Sequence, residues 1–250
     1  MELIRNKLLP FKTVTLDDLD KVKLMNRSDS KFCMHITQLP HILEALYADY
    51  SILEINGKSI FNYDNTYFDT PDNQMYLSHQ NGKRNRFKIR VRNYIESNLS
   101  FLEIKFKNNK GRTIKDRIEK QDFIPEFTSN ENIFLKNSCP YTGNELEPKI
   151  NSFFKRFTLV NDQYTERVTF DIFPGFSNHE KTITLNNLVI LEIKQDKSSD
   201  TSRVIKIIQS EKICRNGFSK YCIGRSILED NIKKNNFKPL LLSLKKHYFN

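Results

Sequence analysis

The sequence predicts an α+β protein dominated by an antiparallel β-barrel with flanking helices. Three observations predict it: a hydrophobic period of two from residue 59 to residue 196, polar reversals between the alternating runs, and two stretches of helical periodicity before them. At 250 residues the chain is long enough for one large domain with a sizeable core. With Gly at 7 and Pro at 8 it has no low-complexity or linker-like stretch, so a single domain over residues 1–250 is expected.

The first helix is predicted over 15–27. Thr15 stands as its N-cap, Asp17 and Asp18 occupy the first turn, and Leu16, Leu19, Val22 and Met25 recur at helical spacing. A second helix is predicted over 38–50, with Leu39, Ile42, Leu43 and Leu46 on one stripe. Strand-like alternation then runs over 59–69, 84–95, 99–108, 112–119, 153–160, 165–173, 181–186 and 188–196. Asn81-Gly82, Asn108-Asn109-Lys110-Gly111 and Asn186-Asn187 suit tight reversals between antiparallel strands. Residues 121–150 read as helix and loop, and a last helix is predicted from Gly224 through Lys234.

The net charge is +10, from 40 Lys+Arg against 30 Asp+Glu, and implies an anionic partner: nucleic acid, an acidic membrane surface or a phosphate compound. Between Lys83 and Arg117 stand twelve Lys/Arg against three acids, so nearly all the excess sits in one short region. Cys33, Cys139, Cys214 and Cys222 form no CxxC pair, and residues 1–5 lack the apolar run of a signal peptide, which favours the cytoplasm. Pro239 to Leu244 is too short to cross a bilayer, so no transmembrane segment is expected. Membrane association is expected only as peripheral contact at the inner face, through the basic surface or a partner.

The alternation sorts the charges onto one face. Arg86, Lys88, Arg90 and Arg92 oppose Phe87, Ile89 and Val91; Glu103, Lys105 and Lys107 oppose Leu102, Ile104 and Phe106; Thr113, Lys115 and Arg117 oppose Ile114 and Ile118. Arg167, Thr169 and Asp171 oppose Val168, Phe170 and Ile172, and Glu192, Lys194 and Asp196 oppose Leu191 and Ile193. A solvated barrel exterior is one reading. Neighbouring strands would then bring like charges within about 5 Å, which destabilises a sheet unless an anion compensates. The other reading puts the apolar faces under helices and the charges in a wide lumen, where a linear polyanion neutralises them. The repeated Leu102-Glu103-Ile104-Lys105 and Leu191-Glu192-Ile193-Lys194 would let each carboxylate take a divalent cation while the lysine meets phosphate oxygen. There is no P-loop or GxGxxG. His35, His41, His79, His179 and His247 have no metal-ligand spacing; for His79 a turn-shaping hydrogen bond and a phosphate contact both stay open. Tyr67-Phe68-Asp69 reads as core packing with a capped turn.

In order along the chain stand Arg27-Ser-Asp-Ser-Lys31-Phe32, Tyr67-Phe68-Asp69-Thr70-Pro71, Tyr76-Leu-Ser-His79-Gln-Asn-Gly82 and Arg86-Phe-Lys-Ile-Arg90-Val-Arg92-Asn-Tyr94. Then come Glu103-Ile-Lys105, Lys110-Gly111-Arg112-Thr113-Ile-Lys115-Asp-Arg117, Arg167-Val-Thr-Phe-Asp171, Leu191-Glu192-Ile-Lys194 and Phe218-Ser219-Lys220-Tyr221. This series resembles the VTC domain (vacuolar transporter chaperone) of the triphosphate tunnel metalloenzyme, or CYTH-like, superfamily. The resemblance implies a tunnel of about eight antiparallel strands and a polyphosphate polymerase that adds the ATP γ-phosphoryl group to inorganic polyphosphate, with Mn²⁺ or Mg²⁺. It implies no nucleic-acid partner and leaves protein partners unspecified.

Carried over by motif, Arg90, Arg92, Lys105, Lys115, Arg167 and Lys220 would be catalytic cations. Lys31, Arg156 and Ser219 would bind substrate, joined by Arg27, Lys88 and Lys107. Glu192 would hold the metal, and Glu103 would hold metal or orient the lysines. Two departures stand out: Phe154-Lys155-Arg156-Phe157 matches the family pattern loosely, and Gly217 replaces a basic residue, with Arg215 nearby as a substitute. Three other readings share these residues: a triphosphate or tripolyphosphate hydrolase, a nonenzymatic polyphosphate-binding module, and a nucleic-acid binder with its basic stripe outside.

Overall fold

The computed structural model describes residues 1–20, 27–121, 124–196 and 202–249. The chain runs α1 (Glu2–Leu8), β1 (Lys12–Val14), α2 (Leu16–Asp20), β2 (Arg27–His35), α3 (Leu39–Glu44), β3 (Tyr50–Leu53), β4 (Phe61–Asp69) and α4 (Gln74–Gln80). It continues β5 (Arg86–Tyr94), β6 (Leu99–Lys107), β7 (Thr113–Lys120), α5 (Ser129–Ser138), β8 (Glu147–Asn161), β9 (Glu166–Ser177), β10 (Thr182–Thr184) and β11 (Leu188–Asp196). Three helices close it: α6 (Arg203–Ser210), α7 (Lys220–Leu228) and α8 (Lys238–Tyr248).

The main path of the sheet is β2-β11-β9-β8-β4-β5-β6-β7, antiparallel throughout, with β10 added to β9, β3 to β8, and β1 parallel to β3. The fold is therefore α+β with a large antiparallel sheet, but the expected closed barrel is corrected. Among the described residues no ladder joins β2 to β7. The physical reason lies at the edge of β2. Arg215 bridges Phe32, and the Asn216 N–H donates to the Lys31 carbonyl at 2.8 Å, so part of the edge that closure would need is already occupied.

Several boundaries differ from the sequence reading. Arg27 opens a strand instead of ending a helix, and residues 21–26 of that predicted helix lie outside the described residues. The second helix is short, Leu39–Glu44, preceded by a 3-10 turn over Ile36–Gln38. The helix expected from Gly224 through Lys234 begins earlier and ends earlier, because Ser219 caps it by accepting from the Cys222 N–H at 3.4 Å.

The apolar strand faces are covered by helices. Val168, Phe170, Leu191 and Ile193 pack with Ile42 and Leu43 of α3, Ile4 of α1 and Ile208 of α6. Ile89, Val91, Leu102 and Ile104 pack under Leu135 of α5 and Met75 of α4. Each fully buried side chain of this kind stabilises the fold by about 1.5–3 kcal/mol. The opposite faces of the same strands, with their charges, turn inward.

Helix α7 lies against the inner side, where Tyr221 and Cys222 pack with Ile150, Phe176 and Ile190. Gly224 permits this approach, since a Cβ there would stand 2.5 Å from Phe176 Cδ1. Its first turn is fixed by Asp69, which is fully buried and accepts from the N–H groups of Thr70 (2.8 Å), Met75 (2.9 Å) and Tyr76 (2.8 Å) and from the Tyr221 hydroxyl (2.5 Å). Asp69 thus caps the turn into α4 and ties α7 to it.

Candidate functional site

The inward charged faces converge on a cavity of about 620 Å³. Lys31 of β2 enters it, with Lys88, Arg90 and Arg92 of β5, Lys105 and Lys107 of β6, Arg156 of β8 and Glu192 of β11. Ser219 and Lys220 close one side from the start of α7. Strand alternation is what aims these side chains to one side, two residues apart along each strand. Glu103, Lys115 and Arg167 are not part of the lining. Arg167 is half-buried on β9 opposite Lys194, and the Arg27 side chain lies outside the described residues.

Two carboxylates behind the wall each grip two cations. Glu103 accepts from Arg90 Nε at 2.8 Å and Nη2 at 2.5 Å, and its other oxygen accepts from Lys115 Nζ at 2.5 Å. Asp171 accepts from Arg156 Nε at 2.5 Å and Nη2 at 2.9 Å, and is also bonded by Lys220. Burial opposes both charges, but Arg90, Arg92 and Lys115 hold Glu103, and Arg156 and Lys220 hold Asp171, below the usual carboxylate range.

Aromatic rings brace the same cations. Arg156 lies 5.0 Å from the Tyr63 ring centre and 5.2 Å from that of Phe154, and Arg92 lies 5.3 Å from Tyr63. The Tyr67 hydroxyl accepts from Arg90 Nη1 at 3.2 Å.

In the cavity itself positive charge is in excess. Glu192 pairs with Lys31 at 2.7 Å and lies 3.9 Å from Lys194. Burial opposes its ionisation, yet Lys194 and Lys31 hold it well below the usual range, so it is a carboxylate. Lys194 is favoured in its charged form by Glu192, but burial, Arg167 and Arg156 push it down to about 8. Burial, only partly offset by Asp171, pushes Lys220 to about 8, with Arg156 adding to the effect. Arg90, then burial and Arg92, press Lys105 well below its ordinary value, and burial lowers Lys88. Lys88 Nζ donates to Ser219 Oγ at 3.0 Å. An anion beside these lysines would favour their charged forms.

His79 also lines the cavity, and burial followed by Lys88 and Arg86 pushes its imidazole down to about 2, leaving it neutral. Its Nδ1 is buried with no hydrogen-bond partner, so the turn-shaping side-chain bond considered above does not form at that atom.

Sequence reasoning gave Lys194 a phosphate contact through its repeat with Lys105 but did not select Asp171, Arg86 or the aromatic braces as site residues. Parity was a signal for Asp171 and Arg86, which share the charged faces. The Tyr63 and Phe154 braces carry no such signal, because an aromatic residue in a strand ordinarily marks core.

For a divalent cation the donor set is sparse. Among the described residues no group of three or more His, Cys, Asp or Glu converges. Glu103 and Asp171 are not part of the lining; the carboxylates that line the cavity are Asp29 of β2 and Glu192 of β11, and Glu192 stands there paired with Lys31. Small hard cations keep several waters and bind through one or two carboxylates plus substrate phosphates. Glu192 could serve as one protein oxygen donor to a cation that arrives with a phosphate ligand.

The fold and site define an α+β domain with a large antiparallel sheet whose inner face lines a cavity rich in Lys and Arg. The chain belongs to the VTC domain family, whose sequence model matches residues 26–229. None of the curated proteins matches it. Among solved structures, a Hippeastrum protein described as having a dominant triphosphatase activity is 15% identical with TM-score 0.49, over 79% of this chain and 94% of that one. A candidate adenylate cyclase from Vibrio parahaemolyticus is 12% identical with TM-score 0.47, over 79% and 97%. A Pyrococcus horikoshii protein is 10% identical with TM-score 0.45, over 80% and 98%. No helix among the described residues is long and apolar enough to cross a membrane.

Proposed function

We propose that the protein is a polyphosphate polymerase that transfers the γ-phosphoryl group of ATP to a growing inorganic polyphosphate chain. The observation that carries this reading is the convergence of Lys31, Arg90, Arg92, Lys105, Arg156 and Lys220 around the Glu192 carboxylate in one cavity of a VTC domain. In the reaction a terminal phosphate oxygen of the chain attacks the γ-phosphorus, the bond to the β-phosphate oxygen breaks, and ADP leaves. No protein nucleophile is needed; positioning and charge stabilisation suffice.

Arg90, Arg92 and Lys105 would hold the triphosphate, with Lys88, Lys107 and Ser219 binding alongside. Lys31, Arg156 and Lys220 would hold the acceptor end. Lys115 and Glu103 act through Arg90, and Arg167 acts through the field at Lys194. Bound at Glu192, Mn²⁺ or Mg²⁺ would supply neutralisation of phosphate charge. A cytoplasmic location, with peripheral contact at the inner membrane face, belongs to the same reading.

The test incubates purified protein with ATP and Mn²⁺ and resolves the products on a polyphosphate gel. A ladder that disappears in Glu192→Ala and in Arg90→Ala is the expected result. Orthophosphate without a ladder would make the protein a hydrolase, and neither product with intact polyphosphate binding would make it a binding module.

A further inference from the structure

Outside the cavity the charge does not end where the lining ends. Arg86, Lys107 and Thr113 line the cavity, and each belongs to one of two segments, 81–86 and 107–113, that continue past it. These segments contain Lys83, Arg84, Lys110 and Arg112, all exposed, and no Asp or Glu.

The segments are fixed in place. Arg84 Nη1 donates to the Asn109 carbonyl at 3.3 Å, which joins one to the other. Arg86 Nη1 donates to the Lys83 carbonyl at 2.8 Å. The tip of the hairpin is built by Asn108, whose side-chain oxygen accepts from the Arg112 N–H at 2.9 Å and whose carbonyl accepts from Gly111 at 3.0 Å, with Gly111 at φ +80°. An acid-free group of cations held together by backbone contacts is self-repelling unless an anion spans it.

From this geometry we infer that the two segments form an outer track for the part of a phosphate chain that projects from the cavity, so that binding strengthens with chain length. The inference rests on reading the cavity as a phosphate-chain site. Its occupant is an inorganic phosphate chain and not a nucleic acid, on two grounds. The track is continuous with the cavity lining through Arg86 and Lys107. Neither segment offers an aromatic ring for a base, and the neighbouring Phe87 and Phe106 stack on each other at 4.5 Å, with Phe87 packed against the cluster under α5.

The experiment measures affinity by calorimetry for tripolyphosphate and for a long polyphosphate at several salt concentrations. It compares the unaltered chain with the quadruple variant Lys83→Ser, Arg84→Ser, Lys110→Ser, Arg112→Ser. The long chain should bind more tightly than tripolyphosphate to the unaltered protein, with a steeper salt dependence. The variant should lose about tenfold in long-chain affinity, as several exposed ionic contacts sum to that order, while tripolyphosphate binding stays unchanged.

Equal affinities and equal salt slopes for both ligands would overturn the track and leave the cavity reading intact. Equal losses for both ligands in the variant would do the same. Failure of tripolyphosphate to bind the unaltered protein would overturn the cavity reading and the track with it. A single-stranded oligonucleotide that matched long polyphosphate in affinity and in sensitivity to the variant would assign the surface to nucleic acid instead.

Discussion

Glu103 and Arg90 face each other across β5 and β6 as direct register partners, joined by two hydrogen bonds from one guanidinium to one carboxylate oxygen. The guanidinium is thereby held at the cavity wall with little freedom to turn, while the second carboxylate oxygen restrains Lys115. Removing one partner of a buried pair leaves the other uncompensated and costs about 3–5 kcal/mol. Glu103→Gln is therefore expected to lower unfolding free energy by about 3 kcal/mol in urea denaturation. Tripolyphosphate should restore part of that loss, because an anion in the cavity replaces the missing charge. A variant as stable as the parent would remove Glu103 from its role in positioning Arg90.

The three depressed carboxylates, Glu103, Asp171 and Glu192, fix the acid limb of stability. Their folded values lie below the unfolded ones, so their contribution is fully present above the unfolded carboxylate range. It is lost as pH falls through the folded values. Stability should begin to decline below about pH 4, where unfolded carboxylates take up protons. A midpoint in urea that stays constant from neutral pH through that range would contradict the ion pairs.

Lys194 and Lys220 set the alkaline limb of binding. Both sit near 8 in the free protein, against an ordinary value of 10.5, and an anion beside them raises them again. Binding near pH 8 should take up protons, seen as a buffer-dependent enthalpy in calorimetry. Tripolyphosphate affinity should fall above pH 8, by up to about tenfold per pH unit for each lysine that must be charged. The free protein behaves oppositely. Its unfolded lysines retain protons that the folded ones release between about 8 and 10.5, so its stability should rise across that window.

Glu192 separates metal from phosphate effects. Mn²⁺ should tighten tripolyphosphate binding to the parent, with a change in the Mn²⁺ paramagnetic resonance spectrum. In Glu192→Gln that enhancement should vanish, and metal-free affinity should rise, since Lys31 and Lys194 lose their anionic partner. Persistence of the enhancement in the variant would place the cation elsewhere.

The charged faces were legible because a strand has a period of two. Arg86 through Arg92 and Glu103 through Lys107 announce the strands and their charged faces, leaving open which way those faces turn, and Arg86, Lys88, Arg90, Arg92, Lys105 and Lys107 line the cavity. Strand β2 was not legible, because Arg27 through Ser30 are all polar and the residues that reach the core, Phe32, Cys33 and Met34, form a short run without alternation. Nor could Lys31 be seen against Glu192, since their pairing joins strands more than 150 residues apart in the chain. Helix α6 was hidden by Val204-Ile205-Lys206-Ile207-Ile208, a run that alternates as readily as it coils. Closure of the barrel was a wrong expectation because it depends on what sits at the edges of the sheet, which no local pattern encodes.

The bridge between Phe32 and Arg215 has a further result, for how copies of this protein meet. A bare sheet edge is a template on which another chain can add a strand and seed aggregation. At β2 the template is interrupted by the backbone of Arg215 and Asn216. At the other edge, β7 presents exposed Lys115, Asp116, Arg117 and Glu119, charged side chains that an added strand would have to desolvate. An open sheet can thus remain open without recruiting its neighbours, and loosening residues 215–216 would bare the β2 edge to strand addition.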